Sequence, residues 1–166
     1  MLAIAMKSEF EYDIDISKVI FMLAVHELEE IYIGDLTLFQ ISHDEKQKIG
    51  HEAIVKVLEG LLEKEQIINL IIEFDERKTE EAIFAYQCDK LECDLQCKLY
   101  DEDGCVDLNN QSNTIELNNS DVKRMLKTEK TWSGMWLAFG QSRYNYDENF
   151  TNISNYAKKN RIKKTY

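Results

Sequence analysis

His26-Glu27-Leu28-Glu29-Glu30 sets an imidazole and three carboxylates side by side, directly after the apolar run Val19-Ile20-Phe21-Met22-Leu23-Ala24-Val25. On a helix, positions i and i+4 share a face, so His26 and Glu30 would look the same way with Glu27 beside them. Burying such groups is costly unless something pairs with them, and a metal ion is one good partner. The competing reading is a helix that surfaces at its C-terminal end and leaves one His and its acids in water. A zinc-protease helix also opens with His-Glu but needs a second His at the fifth position. Glu30 stands there, and His51-Glu52 is followed by Val55 at the same place, so that chemistry is excluded.

A second group is Asp89-Lys90-Leu91-Glu92, flanked by Ala85, Cys88 and Cys93. Asp89 and Glu92 lie on one helical face, among small residues that admit a close helix. An intrahelical charge pair with Lys90 or Lys98 accounts for the same residues equally well. Cys88, Cys93, Cys97 and Cys105 contain no C-x-x-C pair, which argues for packed thiols rather than a zinc or disulfide framework.

The elements that must carry these groups read as helices. There are no prolines and six glycines in 166 residues, so sharp turns are few. The pattern predicts a buried helix over 18–33, capped by Ser17 or Asp15 and closed by Gly34. A second amphipathic helix spans Asp44 to Leu62, with Ile49, Ala53, Val57 (or Ile54) and Leu61 on its apolar face. A short helix follows at 65–75, then a long one capped by Thr79 and running to about Asp101. Residues 102–119 read as a loop, Ser120 opens another helix, and aromatic-rich helices cover 131–142 and 147–159. The fold class is all-α, in a single domain over 1–166 with no internal repeat.

Acidic residues outnumber basic ones 31 to 20, for a net charge of −11. Lys158, Lys159, Arg161, Lys163 and Lys164 form a basic tail at 158–166, so residues 1–157 are still more negative than the whole. Such a body repels phosphate backbones, which excludes broad nucleic-acid binding, and the tail reads as a solvated end. No apolar run approaches the ~18 residues of a membrane span. Met1-Leu2-Ala3-Ile4-Ala5-Met6 is too short for a signal-peptide core, so the expected location is the cytoplasm, with no membrane partner.

Taken together, these pieces resemble the HD-domain metal-dependent phosphohydrolases, in the branch of bacterial 5'-deoxynucleotidases and related HD-domain-containing proteins. The resemblance is carried by His26-Glu27-Leu28-Glu29-Glu30-Ile31-Tyr32-Ile33-Gly34-Asp35, against a family pattern His-Asp-x-x-Glu-x-x-x-Gly-Asp. A second match is Thr79-Glu80-Glu81-Ala82-Ile83-Phe84 leading into Asp89-Lys90-Leu91-Glu92; the aromatic part with Trp136 and Phe150 is similar as well. The resemblance implies a single HD-domain helical bundle in which His26, Glu27 and Asp89 hold a divalent ion such as manganese, cobalt or magnesium. It implies that Glu30 assists the attacking water and that Asp35 acts at the substrate edge of the site. Asp35, Leu36, Thr37 and Leu38 correspond to the turn that contacts the nucleotide. The chain departs from the pattern at Glu27, where the family has Asp, and in lacking the proline of that turn. It also has no histidine upstream of Ser17. The family's first ligand His sits on a preceding helix, so Met1 to Lys7 reads as the last turns of a shortened one. The implied activity is hydrolysis of nucleoside 5'-monophosphates through a metal-activated water. The alternative is a degenerate HD module that binds a nucleotide or a protein partner without turnover. The branch is commonly dimeric, which makes a homodimer the expected assembly. Trp132, Trp136, Phe139 and Tyr144 are equally suited to its interface and to the core.

Overall fold

In a computed structural model the chain is described over residues 1–110 and 114–163. Among those residues every regular element is helical, as the sequence leads one to expect. They form two compact units, Met1–Tyr86 and Gln87–Tyr166.

The first unit opens with α1 (Leu2–Glu9) and α2 (Ile16–Val25). Asp15 starts α2, its carboxylate accepting from the backbone N–H groups of Ser17 and Lys18. The expected helix over 18–33 is broken. α2 stops at Val25, residues 26–29 form a turn held by i→i−3 bonds, and α3 covers only Glu30–Ile33. The break accompanies contacts made further along the chain: Glu29 lies over Gly50 and Glu30 pairs with Lys46. Gly34 ends α3 at φ 77°, a value that favours glycine.

α4 (His43–Val57) begins at Ser42, whose hydroxyl accepts from Glu45 N–H while the Glu45 carboxylate accepts from Ser42 N–H. Its buried stripe is Gly50, Ala53 and Ile54, so the apolar face follows Ile54 rather than Ile49 and Val57, and Leu61 is exposed. α5 (Lys64–Glu76) packs on both α2 and α4 and buries Leu70, Ile71 and Phe74. Lys18 of α2 meets Glu73 of α5 at 2.7 Å, and Thr79, at the head of the next helix, donates to the same carboxylate.

That next helix, α6 (Glu80–Glu102), starts in the first unit and continues in the second. In the second unit, after a 3₁₀ turn at Leu108–Asn110, come α7 (Ile115–Asn118), α8 (Ser120–Met125), α9 (Trp132–Arg143) and α10 (Glu148–Lys159). The expected loop over 102–119 thus holds two short helical turns, while Gln111, Ser112 and Asn113 lie outside the described residues. Leu91, Val122, Met135, Leu137, Phe139 and Phe150 are fully buried here. Phe139 is therefore core, whereas Trp132 and Trp136 are half-buried and meet edge to face at 5.6 Å. Both tryptophans of the chain lie on α9.

The basic tail keeps most of its cations in solvent, Arg161 60% and Lys163 43% exposed, but its backbone is held. Glu102, at the end of α6, accepts from the backbone N–H groups of Ile162 and Lys163, and Lys158 pairs with Glu129 at 2.6 Å. Lys164 lies outside the described residues. All four cysteines are free thiols; Cys88 is buried and Cys97 half-buried, but Cys93 and Cys105 are exposed, so packing accounts for only part of the set. No helix among the described residues is long and apolar enough to cross a membrane.

Candidate functional site

In the first unit the site is built on the turn that interrupts the expected helix. His26 caps the C-terminus of α2, and its Nδ1 lies 2.9 Å from the Leu23 carbonyl. A carbonyl can only accept, so Nδ1 carries a proton, and in the neutral ring Nε2 then keeps a lone pair. The ring packs on Phe74 at 4.8 Å between centroids, which fixes its plane. Phe74 in turn meets Tyr86, and the Arg77 guanidinium covers the Tyr86 ring at 4.5 Å. Nε2 of His26 looks at Oε1 of Glu27, 3.8 Å away. The imidazole is 13% exposed and the carboxylate 60% exposed, so the pair has one sheltered and one open member. Two electron-pair donors at that spacing, one neutral and one anionic, suit a divalent cation reached from solvent.

The two glutamates that follow, Glu29 and Glu30, meet α4. Glu30 takes an ion pair with Lys46 at 2.8 Å, the side chains being 18% and 31% exposed. Glu29 lies over Gly50; a Cβ at position 50 would come 3.1 Å from Glu29 Cγ. One oxygen of Glu29, Oε2, is buried with no hydrogen-bond partner, and burial raises its carboxyl above the usual carboxylate range. The shared face expected of His26 and Glu30 is therefore replaced by a turn that directs the two side chains to different neighbours.

Asp35 is exposed just after Gly34. The next residues fold on themselves: Thr37 donates through both N–H and hydroxyl to Gln40 Oε1, with Leu36 half-buried and Leu38 48% exposed. His51 is bonded to Asp75 at 2.7 Å, and His43 meets Arg77. Both remaining histidines of the chain thus help hold α4 to the end of α5. A groove of about 720 Å³ lined by Lys18, Phe21, Gln66, Asn69 and Glu73 contains none of the candidate ligand, catalytic or substrate residues.

In the second unit Asp89 sits on α6, 16% exposed, with Lys90 Nζ at 2.8 Å. Lys98 pairs instead with Glu102. Beside Asp89, burial pushes the Cys88 thiol up to about 12, which makes it inert as a nucleophile. Lys46 and Phe74 stand out in no sequence pattern, and Glu29 stands there only as one of three neighbouring acids. Lys46 stands in a mixed stretch, Asp44-Glu45-Lys46-Gln47-Lys48, and only the fold shows which of its charges faces Glu30.

A family model described as an HD domain matches residues 1–132. The 5'-deoxynucleotidase HDDC2 of Dictyostelium discoideum is 36% identical over 94 residues, covering 54% of this chain and 49% of that protein. The 5'-deoxynucleotidase hdd1 of Schizosaccharomyces pombe is 32% identical over 84 residues, covering 46% and 42% respectively. The chain therefore spans about half the length of the curated relatives it matches. No solved structure matches it.

Proposed function

The chain belongs to the HD domain family, and from that premise we propose that it is a divalent-metal-dependent phosphohydrolase acting on nucleoside 5'-monophosphates. The observation that carries this reading is the disposition of His26. Its Nδ1 is committed to a backbone carbonyl and its ring is wedged on Phe74, so Nε2 is presented beside the Glu27 carboxylate. The names of the two relatives point to the same chemistry and the same class of substrate.

His26, Glu27 and Asp89 each offer one ligand atom, an imidazole nitrogen and two carboxylate oxygens, a set that fits manganese, cobalt or magnesium. Phe74 links His26 to Tyr86, and Asp89 stands three residues beyond Tyr86 on the same helix. When bound, such an ion supplies positive charge that polarises a phosphoryl oxygen and acidifies water. Glu30 receives the proton of the attacking water. The water oxygen bonds to phosphorus, the bond from phosphorus to the 5' oxygen breaks, and that oxygen takes up a proton from solvent, so the nucleoside leaves as an alcohol. Asp35 and the Leu36-Thr37-Leu38 turn border the substrate, where an exposed carboxylate can accept hydrogen bonds from sugar hydroxyls.

Glu27 favours a second reading. Its side chain is one methylene longer than the family's Asp and 60% exposed, which suits a degenerate module that binds a nucleotide without turnover. Phosphate release from a panel of nucleoside 5'-monophosphates, with each ion in turn, separates the two. The phosphohydrolase releases phosphate only with metal, and His26→Ala or Asp89→Ala abolishes release while helical circular dichroism is retained. The binding module is instead stabilised by nucleotide and releases nothing.

A further inference from the structure

We infer that Lys46 is the positioning residue for Glu30, setting the orientation in which that carboxylate meets water. The inference rests on the phosphohydrolase reading of the site. Glu30 is the first residue of α3, a helix of four residues whose own backbone bonds do little to fix a side chain. Glu29 beside it has a buried carboxyl of its own, so two consecutive glutamates compete for the same face of α4. Lys46 resolves that competition by binding Glu30 Oε1 at 2.8 Å, which leaves Oε2 of Glu30 as the proton acceptor.

The position of Lys46 is itself fixed. Its N–H bonds the Ser42 carbonyl at 2.9 Å, and Ser42 and Glu45 close the capping box that sets the first turn of α4. One turn further along, Gly50 accepts the Glu29 side chain against bare backbone. The face of α4 thus grips the segment twice, by an ammonium at Glu30 and by a missing side chain at Glu29. With both partners more than two-thirds buried, the pair has a defined geometry that an exposed lysine–glutamate pair lacks. Misplacing a group that must meet water in one orientation costs rate rather than substrate affinity.

The test is a kinetic double-mutant cycle on the full chain, with manganese and a nucleoside 5'-monophosphate. Lys46→Met lowers kcat roughly ten- to a hundredfold with KM nearly unchanged. Lys46→Arg restores most of the loss, and manganese affinity, read by titration calorimetry, is the same in all variants. In a Glu30→Gln background Lys46→Met has no further effect on kcat. A loss that persists in that background, or one that appears in KM, overturns the inference and makes Lys46 a substrate contact. A chain that turns over at full rate as Glu30→Gln, or not at all when unsubstituted, refutes the functional reading itself and the inference with it.

Discussion

Asp94 shows what one residue can do to a folding equilibrium without touching any of the candidate ligands. It is 5% exposed on α6, and burial pushes its carboxyl up to about 7 against the opposing pull of the Tyr146 hydroxyl, at 3.5 Å, and of Lys90. The folded-state value lies above the ordinary 3.8, so between about pH 4 and 7 the folded chain holds a proton that the unfolded chain releases. This group's contribution is most favourable below that window, falls as pH rises through it and levels off above 7. Asp94→Asn keeps the shape and removes the charge. The variant is expected to match the parent near pH 3 and to exceed it by about 2–4 kcal/mol at pH 8. Urea unfolding of both proteins across that range checks this, and a difference independent of pH would contradict it. Nothing in the sequence marks Asp94 as the carboxylate of this helix that is buried. What distinguishes it is the residue it faces.

That residue is Gly140, and the consequence belongs to the level of elements. A Cβ there would fall inside contact distance of Asp94 Oδ2 and 3.3 Å from Tyr144 Cδ2, so the buried Asp94 carboxylate occupies the space that a side chain at 140 would need. Gly140→Ala should destabilise by about 1–3 kcal/mol even though alanine is the better helix former. Thermal unfolding measures it, and much of the cost should vanish when Asp94→Ala is present as well. The helices themselves were largely legible: caps at Asp15 and Thr79, the acidic first turn of α6 and the absence of proline placed most of them to within a few residues. The break at 26–29 was not, because a run of apolar residues ending in Glu-rich sequence reads as one helix until the partners of Glu29 and Glu30 are known. The offset of the α4 stripe has a similar origin. Periodicity places an apolar arc, but the neighbouring helices decide which edge of it is buried.

For the molecule as a whole, the family and the all-helical class could be read from two spaced motifs, His26 to Asp35 and Thr79 to Glu92. The candidate donors could be named only through that resemblance, since the same spacing also suits a solvated helix end at His26 and a charge pair at Asp89. The supporting residues were not legible, because Lys46, Phe74 and Gly50 are ordinary in type and acquire meaning only from what they meet. The charge of −11 gave a true account of composition but a poor one of the tail, where Glu102 clasps the backbone of Ile162 and Lys163. The placement of both tryptophans on α9 turns the chain into its own reporter. Indole emission responds to the second unit alone, while far-ultraviolet dichroism averages over helices of both. Denaturation curves from the two signals should superimpose only if the halves melt as one cooperative body. If the units separate, the fluorescence midpoint belongs to Gln87–Tyr166, and subtracting it isolates the stability of the half that carries His26.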